Sequence, residues 1–242
     1  MALRILITND DGVNAQQLVP LIRHCRKYGQ VTAVVPKFEQ SGKSHGIELH
    51  KGFEAKEVEL APDVTAWAVD STPADCVRLA LFGLGMTFDL VISGINRGLN
   101  MGTDIMYSGT VSAAMEGAFL GMKALAISTP PKYYDSAVHH LDDIFQYIES
   151  NRLWEHHNIY NVNIPANPKS IRITTQGGPY YSDDFRKEEN DIYRPCGKCI
   201  YVNQNDISLD TDCIDFGHIS ITPLSINRTD HVIYNKLKAL NK

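Results

Sequence analysis

The first 130 residues alternate short, largely apolar segments with segments of helical periodicity, and this pattern limits the chain to few folds. The apolar segments predict strands at residues 3–8, 30–36, 88–93 and 124–128. The periodic segments predict helices at residues 15–27, 73–82, 108–120 and 136–148. Strands that are apolar on both faces belong to parallel sheets covered by helices. We therefore predict an α/β fold with a doubly wound, mostly parallel sheet.

The last ninety residues follow a different pattern. Further strands are predicted at residues 159–164, 170–176 and 217–223, and a short terminal helix at 230–240. Residues 177–215 are polar and rich in tyrosine, which suggests a protruding hairpin or arm. Its aromatic residues indicate either a partner interface or a local core, and the sequence leaves both interpretations open.

Two adjacent carboxylates, Asp10 and Asp11, follow the first predicted strand and are closed by Gly12. Ligands of open α/β sheets bind outside the carboxyl ends of the strands. Adjacent carboxylates repel each other, and a hard divalent cation with oxygen ligands offsets that repulsion. An ordinary turn or an acidic helix cap is the alternative interpretation.

Three further segments lie at corresponding positions, at a strand end or a helix start, namely residues 40–45, 93–102 and 107–110. Ser41 and Asn96 offer neutral oxygen ligands that complete a metal shell without adding charge. Residues 108–110 place backbone amides and two hydroxyls at a helix N-terminus, which favours an anion. A cation beside an anion cradle is the arrangement that phosphate-ester chemistry needs.

Seven motifs, in this order, make the chain resemble the SurE family of metal-dependent nucleotidases. They are TNDDG at 8–12, QSG at 40–42, TPADCV at 72–77, SGIN at 93–96, YSGTV at 107–111, NVNIP at 161–165 and ITPL at 221–224. The resemblance implies one SurE-like domain over residues 1–242. Residues 1–150 would form a Rossmann-like core, and residues 151–242 additional strands, a hairpin arm and a C-terminal tail.

The resemblance also implies hydrolysis of nucleoside monophosphates to nucleoside and phosphate. The implied enzyme is a 5'-nucleotidase, and some members of the family also accept 3'-nucleotides and trim short polyphosphate. One divalent cation, magnesium or manganese, would serve it. The family's metal ligands correspond here to Asp10, Asp11, Ser41 and Asn96, and the two aspartates are the catalytic candidates. Its phosphate-binding residues correspond to Asn100, Ser108, Gly109, Thr110 and Gly42.

Two attacking groups are conceivable in such a site. Either a metal-activated water attacks phosphorus, or Asp10 or Asp11 acts as a covalent nucleophile. Covalent haloacid-dehalogenase phosphatases carry Asp-x-Asp after the first strand, whereas the acids are adjacent here. We therefore favour the activated water.

Composition limits the partners and the compartment. The net charge of −5, without a basic block, argues against nucleic acid as a partner. The chain has no apolar run long enough to span a membrane and no signal peptide, and its five cysteines suit a reducing compartment. We expect a cytoplasmic enzyme, and the resemblance implies a homodimer or homotetramer.

Two other functions are conceivable for a chain with this pattern. A nicotinamide-dependent oxidoreductase would carry Gly-x-Gly-x-x-Gly after the first strand, and this chain does not. A non-catalytic nucleotide sensor with the same metal and phosphate cradle stays open. His45 is a candidate proton donor, Arg97 is unassigned, and Cys196 and Cys199 suggest thiols in a tight turn rather than a zinc site. The sequence carries no recognisable base-binding motif.

Overall fold

A computed structural model describes residues 2–241, which form a nine-stranded mixed sheet with helices on both faces. The strands are β1 (Leu3–Thr8), β2 (Gly29–Pro36), β3 (Ala55–Ala61), β4 (Val64–Val69), β5 (Leu90–Arg97), β6 (Lys123–Thr129), β7 (Ile159–Asn163), β8 (Ile171–Ile173) and β11 (Ile219–Pro223). Their order is β3-β4-β2-β1-β5-β6-β7-β11-β8. The six strands from β4 to β7 are parallel, whereas β3 and β11 run antiparallel to β4 and β7.

Helices cover the sheet on both sides, as the doubly wound prediction requires. They are α1 (Leu18–Cys25), α2 (Pro73–Arg78), α3 (Gly109–Phe119), α4 (Tyr134–His139), α5 (Leu141–Ser150), α6 (Asp210–Asp215) and α7 (His231–Leu237). Ile5 and Ile7 of β1 pack with α1, α4 and α5, while Leu6 packs with α2 and α3. Alternate side chains of one strand thus enter two separate cores, which explains why β1 is apolar on both faces.

Several predicted elements have different bounds in the structure. The helix predicted at 136–148 is divided into α4 and α5, because the backbone at His140 (φ −83°, ψ −2°) departs from helical geometry. The helix predicted at 73–82 is α-helical only from Pro73 to Arg78 and continues as a π-helical turn from Leu79 to Gly83. The strand predicted at 170–176 is reduced to β8, since the chain then turns to pair Thr175 with Leu209.

The predicted arm contains an antiparallel hairpin, β9 (Phe185–Lys187) and β10 (Tyr193–Pro195). The hairpin exposes its aromatic residues, with Phe185 and Tyr193 both more than half exposed. At the base of the arm, aromatic side chains pack against each other, since Tyr180 stacks on Tyr201 with ring centroids 5.0 Å apart. The arm therefore has a small aromatic core at its base and an exposed tip.

The base of the arm is attached to the loop that follows β5. The Asp210 carboxylate accepts hydrogen bonds from the amides of Gly102 (3.0 Å) and Gly177 (2.8 Å). Thr103 N donates to Gly178 O at 3.2 Å. A Cβ at Gly102 would lie 2.1 Å from Gly178 O, so this approach requires glycine.

We predict that Gly102→Ala loosens the arm and destabilises the protein. Gly85→Ala is the matched control, because its φ of +65° resembles the +57° of Gly102 and no described heavy atom lies within 4 Å of its Cβ. The control should lose about 1 kcal/mol from backbone strain. Gly102→Ala should lose about 1–3 kcal/mol more from overpacking. Urea unfolding measures both, and equal losses would contradict the packing described for Gly102.

Candidate active site

The carboxyl ends of β1 and β5 form the crevice where the sheet changes its winding direction. From β1 the chain continues to β2 on one side, and β5 lies on the other side of β1. Such a switch point is the usual ligand site of an open α/β sheet. Asp10 and Asp11 lie just after the end of β1, and Asn96 is the penultimate residue of β5. The fold thus brings these three residues to the same edge.

Asp10 connects three of the four predicted segments. Its side chain is 4% exposed, and its Oδ1 accepts a hydrogen bond from the Thr110 hydroxyl at 2.5 Å. Its backbone oxygen accepts from Gln40 N at 2.7 Å, next to Ser41. The end of β1, the loop after β2 and the first turn of α3 therefore meet at this carboxylate.

Asp11 is held by a second set of donors. Its Oδ2 accepts from Gln17 Nε2 at 2.6 Å and from Arg97 N at 3.1 Å. The turn itself is closed by Asn9, whose side chain exchanges two hydrogen bonds of 3.1 Å with the backbone of Gly12. The φ of +90° at Gly12 allows the chain to leave the strand at this point.

Both carboxylates are in an environment that disfavours their ionised forms. Burial raises the pKa of Asp10, and the hydrogen bond from Thr110 opposes that shift only in part. Burial and the charge of Asp10 raise the pKa of Asp11. The Arg97 guanidinium offsets little of this, and it lies 3.7 Å from Glu39 Oε2. Two such oxygen donors fit a bound divalent cation, which stabilises the ionised forms.

The two neutral candidate ligands differ in their present contacts. Asn96 donates through Nδ2 to Gly98 O at 2.8 Å, which orients its amide and leaves Oδ1 as an acceptor. Ser41 is exposed and donates to Glu39 Oε1 at 2.7 Å, and Gly42 adopts a φ of +70° in an open loop. Within residues 2–241, no group of three or more His, Cys, Asp or Glu side chains is arranged for a metal. A cation site here therefore needs neutral oxygen atoms beside the two aspartates.

The N-terminus of α3 lies directly against Asp10. Ser108 caps the helix, since its Oγ accepts from Val111 N at 3.1 Å. A Cβ at Gly109 would lie 2.9 Å from Asp10 Cβ and 3.1 Å from Asp10 Oδ2. Only glycine allows this approach, and it brings the positive end of α3 beside the acidic pair.

Asn100 is fixed by a buried polar cluster that the sequence analysis did not assign to the site. Asn100 O accepts from Asn161 and Asn163, its backbone N donates to Asn163 Oδ1 at 2.8 Å, and its side chain donates to Ser128. Asn161 and Asn163 are wholly buried on β7. Two asparagines spaced by two residues in an apolar strand would have been a usable signal in the sequence.

A second set of residues near Asp11 was also missed. Gln17, Glu39, Arg97 and Tyr134 line a cavity of about 270 Å3 together with Asp11. The Tyr134 hydroxyl is buried and has no hydrogen-bond partner in the part of the chain that the structure describes. Burial and the nearby charge of Asp11 raise the pKa of Tyr134 to about 12, so this hydroxyl stays a proton donor. Glutamine and tyrosine in helices carry no local signal for such a role.

The remaining candidates, His45 and the cysteines of the C-terminal part, have other surroundings. His45 Nε2 is 2.8 Å from the buried Glu116 carboxylate, which also accepts from Arg78. This contact attaches the loop after β2 to α3. Cys196 and Cys199 are exposed on the arm, Cys213 is buried, and all three are free thiols.

Among the described residues, no helix is both long and apolar enough to cross a bilayer.

Known proteins resemble this chain along most of its length. The model of the family "Survival protein SurE" matches residues 5–183. The 5'-nucleotidase SurE of Petrotoga mobilis is 37% identical over 251 residues, covering 98% of both chains. The 5'-nucleotidase SurE of Legionella pneumophila subsp. pneumophila is 36% identical over 252 residues, covering 98% of this chain and 97% of that protein.

A solved structure extends the similarity to three dimensions. The crystal structure of the SurE protein from Aquifex aeolicus superposes with a TM-score of 0.81 at 29% sequence identity. The match covers 99% of this chain and 100% of that one. The expected resemblance is thus confirmed over the whole fold, and the chain belongs to the SurE family.

Proposed function

We propose that this chain is a metal-dependent 5'-nucleotidase that hydrolyses nucleoside monophosphates to nucleoside and phosphate. The observation that carries the proposal is the contact between Asp10 and the first turn of α3, through Thr110 and Gly109. It brings the acidic pair next to a helix N-terminus, which supports a cation bound beside a phosphate group. The activity named for the curated relatives supports the same reaction. A non-catalytic sensor is not favoured.

Asp10, Asp11, Asn96 and Ser41 are the residues that would hold one magnesium or manganese ion. Their donor atoms are all oxygen, as these hard cations prefer. Ser41 would exchange its contact with Glu39 for the ion. When bound, the ion supplies Lewis-acid polarisation of a phosphoryl oxygen and activates a water molecule.

The chain's own groups bind the phosphate and handle the proton. The amides at the start of α3 and the Ser108 hydroxyl donate to the phosphate oxygens, and they stabilise charge that develops during the reaction. Asn100, whose backbone is held by the β7 asparagines, and Gly42 complete this cradle. One of the two aspartates accepts the proton of the attacking water.

Water is preferred to an aspartate as the attacking group for a structural reason. The Oδ1 atom of Asp10 and the Oδ2 atom of Asp11 already accept hydrogen bonds from the protein. Hydrogen bonds to a carboxylate stabilise its charge and reduce its nucleophilicity. This supports roles as ligand and base.

Assembly, domain organisation and compartment belong to the same proposal. The chain would act in the cytoplasm as a homodimer or homotetramer, which the exposed apolar residues of the hairpin and of α7 support. Strands from residues 1–150 and 151–242 share one sheet, which supports a single domain. Free thiols suit a reducing compartment.

Asp10→Asn and Asp11→Asn should each lower phosphate release from adenosine 5'-monophosphate by more than about a hundredfold, because each removes a charged metal ligand. The assay uses EDTA-treated protein with magnesium or manganese restored. Asp63→Asn is the control, since Asp63 is exposed and pairs with Arg23 and Arg26 at the surface. Full activity in both active-site variants would refute the assignment.

Metal binding should raise thermal stability more at about pH 8 than at about pH 5. Burial raises the folded-state pKa of both Asp10 and Asp11 above the ordinary value of 3.8. Such groups contribute most to the stability of the metal-free protein below the unfolded pKa, and that contribution is lost as pH rises through the folded pKa. A cation offsets the loss at high pH.

Asp10→Asn tests the same linkage without any activity measurement. It should stabilise the metal-free protein at about pH 8 and remove most of the metal-induced shift in Tm. Melting curves with EDTA and with magnesium measure both effects. An unchanged metal-induced shift in this variant would place the cation elsewhere.

Gly109→Ala should lower kcat by about tenfold or more while the protein stays folded, because the new Cβ displaces Asp10 or the start of α3. Gly52→Ala is the control, since Gly52 is exposed and no described heavy atom lies within 4 Å of its Cβ. Steady-state kinetics and a far-UV circular dichroism spectrum measure the outcome. Unchanged turnover would show that the close approach is not needed.

A further inference from the structure

A cavity of about 340 Å3 lies between the loop after β5, the residues after β6 and the base of the arm. Its lining includes Arg97, Met101, Asp104, Pro130, Tyr180 and Tyr181. The lining combines apolar and aromatic side chains with a few polar groups, as small-molecule sites do. The phosphate chemistry described above uses neither the tyrosines nor Asp104.

The cavity adjoins the acidic pair through Arg97. The Arg97 amide donates to Asp11 Oδ2 at 3.1 Å, while the residue lines both this cavity and the smaller one beside Asp11. Asp104 lies in the 3-10 turn from Gly102 to Tyr107 that leads into α3. One short turn therefore connects the lining of this cavity to the start of α3.

The two tyrosines form a rigid aromatic wall. Tyr180 is stacked on Tyr201 with an interplanar angle of 13°, and Tyr181 meets Tyr180 edge-on at 5.1 Å. Tyr181 is 57% exposed, and its backbone N is held by Asp104 Oδ2 at 3.0 Å. An exposed ring on a fixed backbone is a stacking surface for a flat ligand such as a nucleobase.

Asp104 adds a chemical preference to this surface. Its Oδ2 accepts from Tyr181, and no donor within residues 2–241 is bonded to its Oδ1. An ionised carboxylate accepts hydrogen bonds and cannot donate them. It repels a phosphate and attracts a ligand group with N–H donors, such as the amino group of adenine, guanine or cytosine.

We propose that this cavity is the nucleobase subsite, in which Tyr181 stacks on the base and Asp104 accepts a hydrogen bond from its amino group. The inference rests on the proposed nucleotidase function and specifies how the second half of the substrate is recognised. Adenine is favoured over hypoxanthine, which carries a carbonyl oxygen at the position of the adenine amino group.

Kinetics with one substrate that carries a nucleobase and one that lacks it test the stacking. Tyr181→Ala should raise KM for adenosine 5'-monophosphate by about tenfold, within the range that base stacking contributes. Its kcat, and its KM for ribose 5-phosphate, should not change. Tyr181→Phe should restore the KM, and Tyr193→Ala, at an exposed tyrosine on β10 outside the cavity, should leave it unchanged. Equal effects on both substrates, or none, would overturn the proposal.

Asp104→Asn tests the preference for an amino group. The new amide can accept from Tyr181 through its oxygen and present N–H donors to the base. The ratio of kcat/KM for adenosine over inosine 5'-monophosphate should then fall by about tenfold or more, toward the base with a carbonyl. An unchanged ratio would show that Asp104 does not contact the base.

A binding measurement separates this inference from the proposed function. Equilibrium dialysis of adenosine with the metal-free protein requires no hydrolysis. The inference expects binding by wild type, Tyr181→Phe and Tyr193→Ala, and weaker binding by Tyr181→Ala. Equal binding by all four proteins, or binding by none, overturns it. A wild type that binds adenosine and releases no phosphate from any nucleotide would refute the nucleotidase proposal alone.

Discussion

The hydrogen bond from Thr110 to Asp10 is the contact on which the candidate site depends. It joins the end of β1 to the start of α3, and Gly109 makes it sterically feasible. Burial raises the pKa of both Asp10 and Asp11, and the charge of Asp10 adds to the shift at Asp11. The folded chain thereby concentrates negative charge beside a helix N-terminus, and a bound cation relieves that repulsion.

The loop after β5 connects the candidate site to β7 and to the base of the arm. It has little regular structure, yet side chains hold it on every side, through Asn161 and Asn163 at Asn100 and through Asp210 at Gly102. Buried hydrogen bonds of this kind hold a loop in one conformation. The base of the arm docks on the same loop, so Tyr181 is positioned relative to Asp11 by a continuous chain of contacts.

The sequence predicted the strand ends better than the contacts made there. Asp10 and Asp11 follow one buried strand, and Asn96 lies at the carboxyl end of another. Parallel strands place these ends at one edge, so the proximity of the three residues could be inferred. The division of the helix at His140, the burial of Tyr134 beside Asp11 and the pairing of Ser41 with Glu39 could not. These depend on backbone angles and loop paths that apolar periodicity does not specify.

The order of motifs and the apolar strands along the chain were sufficient to establish the α/β class and the SurE family, because both are properties of local residue order. The meeting of Thr110 with Asp10, of the Arg97 amide with Asp11 and of Tyr181 with Asp104 was decided only in the folded molecule. These partners are 77 to 100 positions apart in the chain. Their contact depends on strand order and helix packing, which bring distant segments of the chain together.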